Sequence, residues 1–133
     1  IEELLELVGL SEDARKKVGA FSRGMKQRLG IAEVLLKDPE VLFLDEPTLG
    51  LDPEGAVRLI DLISQLNQER NISVLLSSHH LHQVQKISHR VGIMITGKMV
   101  AMGSIESLAK EKLGLGGREY SLEEIYMKYF PEV

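Results

Sequence analysis

The sequence predicts an α/β fold with mostly parallel strands and flanking helices, on three observations. Val41-Leu42-Phe43-Leu44 is a short apolar run bounded by Pro39 and Pro47, and Ile72-Ser73-Val74-Leu75-Leu76 is a second, β-branched one. Between them Ala56, Leu59, Ile63 and Leu66 recur at helical spacing. Strand, helix, strand is a βαβ unit, whose right-handed crossover makes the strands parallel and brings their carboxyl ends to one edge. An uninterrupted apolar strand suits burial on both faces, as in a sheet covered by helices.

Each element has its own local cause. Leu4, Leu5 and Val8 lie among Glu2, Glu3 and Glu6, and residues 1–18 read as two short helices broken at Gly9, the second capped by Ser11. Ser22 caps a longer helix with Met25, Leu29, Ala32 and Leu36 on its apolar face, and Asp38-Pro39 stops it. After the Val41 to Leu44 strand, Asp52-Pro53 joins an N-cap to proline at the first helical position and opens the crossover helix. The second strand runs into Ser77-Ser78-His79, and a helix is expected from about His80 to Ser88. Val91 to Thr96 and Lys98 to Met102 flank Gly97 as a hairpin. Ser104 caps a further helix. Gly114-Leu115-Gly116-Gly117 is a glycine-dense linker, and Ser121-Leu122-Glu123-Glu124 has the capping-box pattern of a last helix.

With 133 residues the chain reads as one domain, able to bury about two-thirds of its unfolded surface. Hydrophobic content of 44% and charged content of 27% are those of a soluble globular chain, not a disordered one. A net charge of -4 without a basic stripe argues against nucleic acid as a partner, because nonspecific affinity for phosphate backbones needs clustered positive charge. The absence of cysteine excludes disulfides, thiolate nucleophiles and cysteine-based zinc sites. No apolar run approaches the roughly 20 residues that span a bilayer, and Ile1-Glu2-Glu3 lacks the basic start of a signal peptide. Beginning without methionine inside a helical pattern, the chain is expected to be a segment of a longer one.

Asp45 and Glu46 stand where the first strand ends. Ligands of open α/β sheets bind outside the carboxyl ends of the strands, so two adjacent acids there point to metal and water chemistry. His79, His80 and His82 also cluster, but adjacent histidines point apart on either helix or strand and no acid lies among them, which weighs against a zinc site. Gly92-Ile93-Met94-Ile95-Thr96-Gly97-Lys98 has the glycine and lysine spacing of a phosphate loop. Its context is wrong: Met99 stands where serine or threonine would bind Mg²⁺, the intervening residues are strand-like, and no helix N-terminus follows.

Read together, Asp45-Glu46 at a strand end, Leu49-Gly50-Leu51-Asp52 and Ser77-Ser78-His79 make the chain resemble the C-terminal half of the ATP-binding subunit of ABC transporters. Phe21-Ser22-Arg23-Gly24-Met25 resembles the signature motif, in the form found among drug-export-like and haem-export-like ATPases. The resemblance covers essentially the whole chain and implies a partial P-loop NTPase fold of the ABC ATPase kind. It places a helical signature subdomain at 1–37, the C-terminal part of the α/β ATPase core at 38–113, and a linker with the C-terminal helix at 114–133. It also implies ATP and Mg²⁺ as ligands, with Asp45 on the metal, Glu46 orienting or deprotonating the attacking water, and His79 on the γ-phosphate. Ser22, Arg23, Gly24 and Met25 would face the nucleotide of a second ATP-binding subunit, and Asp52 would serve communication between subunits besides capping its helix. Arg23 stands in place of the usual first glycine and Met25 in place of the usual glutamine. Side-chain contacts from those two positions are therefore not carried over, whereas backbone contacts are.

Transmembrane transporter subunits are the other partners implied, and through them alone the chain would sit at the cytoplasmic face of the cell membrane. Neither a phosphate loop nor a glutamine loop precedes the signature within these residues. The expectation is an export-type transporter ATPase whose C-terminal half, taken alone, binds nucleotide weakly, hydrolyses none and self-associates through apolar strand faces. Half of an SMC-like or DNA-repair ATPase would instead show heptads before the signature, and residues 1–18 are too short and broken for that. A noncatalytic docking module is the alternative from another class; Glu46 beside Asp45 speaks against it.

Overall fold

Capping chemistry sets where most helices begin in the computed structural model, which describes residues 1–114 and 119–130. Leu115, Gly116 and Gly117 of the expected linker lie outside the described residues. The chain divides into two compact units, 1–78 and 79–133.

The first unit starts with α1 (Glu2–Leu7), followed by 3₁₀ turns at Ser11–Asp13 and Val18–Ala20. The expected second helix is absent there, and Ser11 is the first residue of a turn, not a cap. Arg15, Lys16 and Lys17 supply no apolar stripe, so nothing offsets the cost of nucleating a helix. Ser22 does cap α2 (Arg23–Leu35), its Oγ accepting from the Met25 amide at 3.2 Å. The buried stripe of α2 is Ile31, Ala32 and Leu35, whereas Leu36, expected on that face, is 60% exposed. Arg28 continues the stripe one turn earlier. Its Nη1 donates to the carbonyls of Val8 at 2.9 Å and Gly9 at 3.1 Å, groups that the end of α1 leaves open. Burial lowers the pKa of Arg28 from its usual value, and the charge of Arg58 acts in the same direction.

Strand β1 (Val41–Asp45) pairs in parallel with β2 (Ser73–Ser77), in a register that sets Phe43 beside Leu75 and Asp45 beside Ser77. The connection is α3 (Pro53–Arg70), which starts at Asp52 and Pro53 as expected and ends at Asn71, a left-handed cap with φ 52°. Ala56, Leu59, Ile63 and Leu66 are buried as the periodicity predicts, joined by Ile60 and Leu62. Each large aliphatic removed from water in this way contributes about 1.5–3 kcal/mol. Burial of β1 on both faces is not found: Leu42 is buried, but Phe43 is 73% exposed and its neighbour Leu75 63%. Side chains alternate across a strand, and among the described residues only the Leu42 side is well covered.

In the second unit α4 (Leu81–Ile87) precedes a hairpin of β3 (Val91–Ile95) and β4 (Lys98–Gly103). Thr96 and Gly97, with φ of 48° and 77°, form the two-residue turn, whose positive φ pair matches the twist of antiparallel strands. The apparent phosphate loop at 92–98 is thus a hairpin. Helix α5 (Ile105–Leu113) is capped by Ser104, whose Oγ accepts from the Ser107 amide at 3.1 Å. Helix α6 (Leu122–Met127) starts with the full capping box: Ser121 Oγ accepts from the Glu124 amide, and Glu124 Oε2 from the Ser121 amide. Val91, Ile93, Leu108, Ala109, Leu122 and Ile125 form this unit's core.

Candidate functional site

Parallel pairing brings the C-terminal ends of β1 and β2 to one edge, and the register does the rest. Asp45 and Ser77 are direct partners, so their side chains share a face, and Ser77 Oγ donates to Asp45 Oδ1. The amide of Glu46 donates to Ser77 twice over, to the carbonyl at 3.1 Å and to Oγ at 3.0 Å. Glu46 itself has a left-handed backbone, φ 45°, rare for a residue with a long side chain. The chain turns there: the Leu49 amide donates to the Glu46 carbonyl at 3.0 Å and the Leu51 amide to the Thr48 carbonyl at 3.2 Å.

These overlapping turns end at Asp52, whose Oδ2 accepts from the Gly55 amide at 3.4 Å. The same loop meets the start of α2. A Cβ on Gly24 would lie 3.7 Å from Leu51 Cδ2, and one on Gly50 would overlap the guanidinium of Arg23, 2.7 Å from its Cζ. Gly50 has φ 73°, so a side chain there would be strained, and the Arg23 guanidinium would have to move to admit it. Arg23 thus lies over the loop that leads from Glu46 to Asp52. Ser22 and Met25 are joined by the cap bond, which uses a lone pair of Ser22 Oγ and keeps its O–H as a donor. His79 is the first residue of the second unit, two positions after Ser77.

Asp45 and Ser77, joined at the strand ends, both offer oxygen. That set suits a hard cation such as Mg²⁺, which takes one or two carboxylates and keeps several waters. Asp45 is exposed, so a hydrated ion has access to it.

Comparison with known proteins agrees with this geometry. Residues 1–49 match the ABC transporter family model. Over 110 residues, 83% of the chain, it is 49% identical to the bacitracin transport ATP-binding protein of Bacillus licheniformis. The chain belongs to the ABC transporter ATP-binding family. This ABC chain is also 43% identical over 105 residues, 79% of its length, to the methionine import ATP-binding protein of Bifidobacterium longum. A solved ATP-binding subunit of an ABC transporter superposes with a TM-score of 0.74 and 30% identity, covering 95% of this chain and 51% of that one. The ABC chain spans 36% of the length of the bacitracin protein and 26% of the methionine one. Its fold is part of the ABC ATPase fold, with a parallel pair, flanking helices and a hairpin. Among the described residues no helix is long and apolar enough to cross a membrane.

Two residues at this edge escape sequence reasoning. Ser77 ends an apolar run, and only the register reveals that it faces Asp45. Thr48 is 3% exposed inside the loop, a burial no pattern in the sequence announces.

Proposed function

We propose that this chain is the part of an ATP-hydrolysing transporter subunit that supplies the acid pair and one signature motif. The observation carrying it is the pairing of Asp45 with Glu46 at the carboxyl end of β1, with the Glu46 backbone anchored to β2. Asp45 would hold Mg²⁺, directly or through water, and Glu46 would accept the proton of the attacking water. Bound Mg²⁺ supplies charge neutralisation at the β- and γ-phosphates. His79 would contact the γ-phosphate. Ser22 O–H and the backbone amides of Arg23, Gly24 and Met25 at the start of α2 would meet a nucleotide held by a second ATP-binding subunit, since helix N-termini favour anions. Asp52 would link the two subunits through its loop.

The partners in this proposal are that second subunit and transmembrane subunits, which would hold the chain at the inner face of the membrane. Export is favoured by the form of the signature and by higher identity to the bacitracin transport protein than to the methionine import one. Because these residues include no phosphate loop, the 133-residue chain alone would bind nucleotide weakly, turn over none and self-associate.

Glu46→Gln in the full-length protein tests the assignment. ATP hydrolysis is expected to fall about 10²-fold or more while bound ATP is retained, as for loss of a general base. Unchanged turnover would leave Glu46 a structural residue and favour a docking role.

A further inference from the structure

We propose that Ser77 is a positioning residue for both carboxylates of the proposed ATPase site, an inference that rests on that reading. A hydroxyl carries one donor and two acceptor lone pairs. Ser77 donates its hydrogen to Asp45 Oδ1 and accepts the Glu46 amide on Oγ, while its carbonyl accepts the same amide. One side chain therefore holds the carboxylate plane of the first acid and the backbone of the second.

Each bond has a separate consequence. Donation to an ionised carboxylate is charge-assisted, and here it restricts the rotamer with which Asp45 would meet a cation. Groups that orient a metal-binding side chain typically matter about 10–100-fold in metal affinity, though they never touch the metal. The Glu46 amide bonds act on the backbone. They hold the chain in the left-handed turn, φ 45°, from which the Glu46 side chain departs, and a residue in that region persists only where its surroundings over-determine it. A hydrophobic residue at position 77 would keep the carbonyl acceptor but lose both Oγ bonds. The role of Ser77 is thus to align the Asp45 carboxylate with the turn at Glu46.

Ser77→Ala removes both Oγ bonds and keeps the carbonyl, and Ser77→Thr keeps the hydroxyl. Two readouts separate positioning from general support. In the 133-residue chain, hydrogen exchange of the Glu46 amide should speed up about fivefold in Ser77→Ala, the scale of one lost net hydrogen bond, and return in Ser77→Thr. In the full-length protein, the Mg²⁺ concentration for half-maximal ATP hydrolysis should rise about tenfold in Ser77→Ala and recover with threonine. Unchanged exchange, or a loss of rate with no change in the Mg²⁺ requirement, overturns the proposal while the ATPase reading stands. A wild-type protein that hydrolyses no ATP with Mg²⁺ overturns both together.

Discussion

Glu46 holds a φ of 45° at the position where the acid pair turns away from β1. An L-residue with a Cβ adopts that conformation at a cost of about 1–2 kcal/mol, and such strain gathers at functional sites. Glu46→Gly and Glu46→Ala both delete the carboxylate, so comparing them isolates the backbone. Glycine is expected to be more stable than alanine by about 1 kcal/mol, the reverse of their usual order in regular elements. Urea midpoints of the 133-residue chain measure this, and equal midpoints would show the turn to be unstrained. At the same scale the Arg23 guanidinium lies where a Cβ at position 50 would stand, and would have to move to admit one.

Among the elements, α3 shows how one residue can serve fold and site together. Asp52 accepts the Gly55 amide and precedes Pro53, an arrangement that starts the helix whatever else the residue does. Asp52→Ala should lower stability by about 0.5–1 kcal/mol through loss of the cap, and Asp52→Asn should lower it hardly at all. Under the proposed role, Asp52→Asn still loses ATP hydrolysis in the full-length protein, because the charge and not the cap would act between subunits. Full activity in the asparagine variant would reduce Asp52 to a cap. Helix starts such as this were legible because capping depends on residues three apart: Ser22, Ser104 and Ser121 behave as their patterns predict. Around Ser11 the pattern misled, since a cap without an apolar stripe behind it has no packing to sustain a helix.

Taken as a whole molecule, the chain leaves Phe43, Leu75 and Val41 exposed on the outer side of the β1–β2 pair. Contiguous apolar surface on short strands with unpaired edges favours association. The 133-residue chain is expected to form oligomers and to bind a hydrophobic-surface dye, and Phe43→Ser with Leu75→Thr should reduce both. Light scattering that finds the wild-type chain monomeric and without dye binding would contradict this. The sequence by itself determined that the fold is α/β, that β1 and β2 flank a crossover helix, where most helices start, and that two acids end a strand. Those features follow from neighbouring residues, whose caps, breakers and periodicity act over a single turn or strand. Tertiary structure alone decided that β1 is covered on one face among the described residues, that the buried stripe of α2 is Ile31, Ala32 and Leu35, and that Ser77 stands against Asp45 and Glu46. Such outcomes depend on register and on partners far apart in the chain, 32 positions for Ser77 and Asp45, and a local pattern carries no record of them.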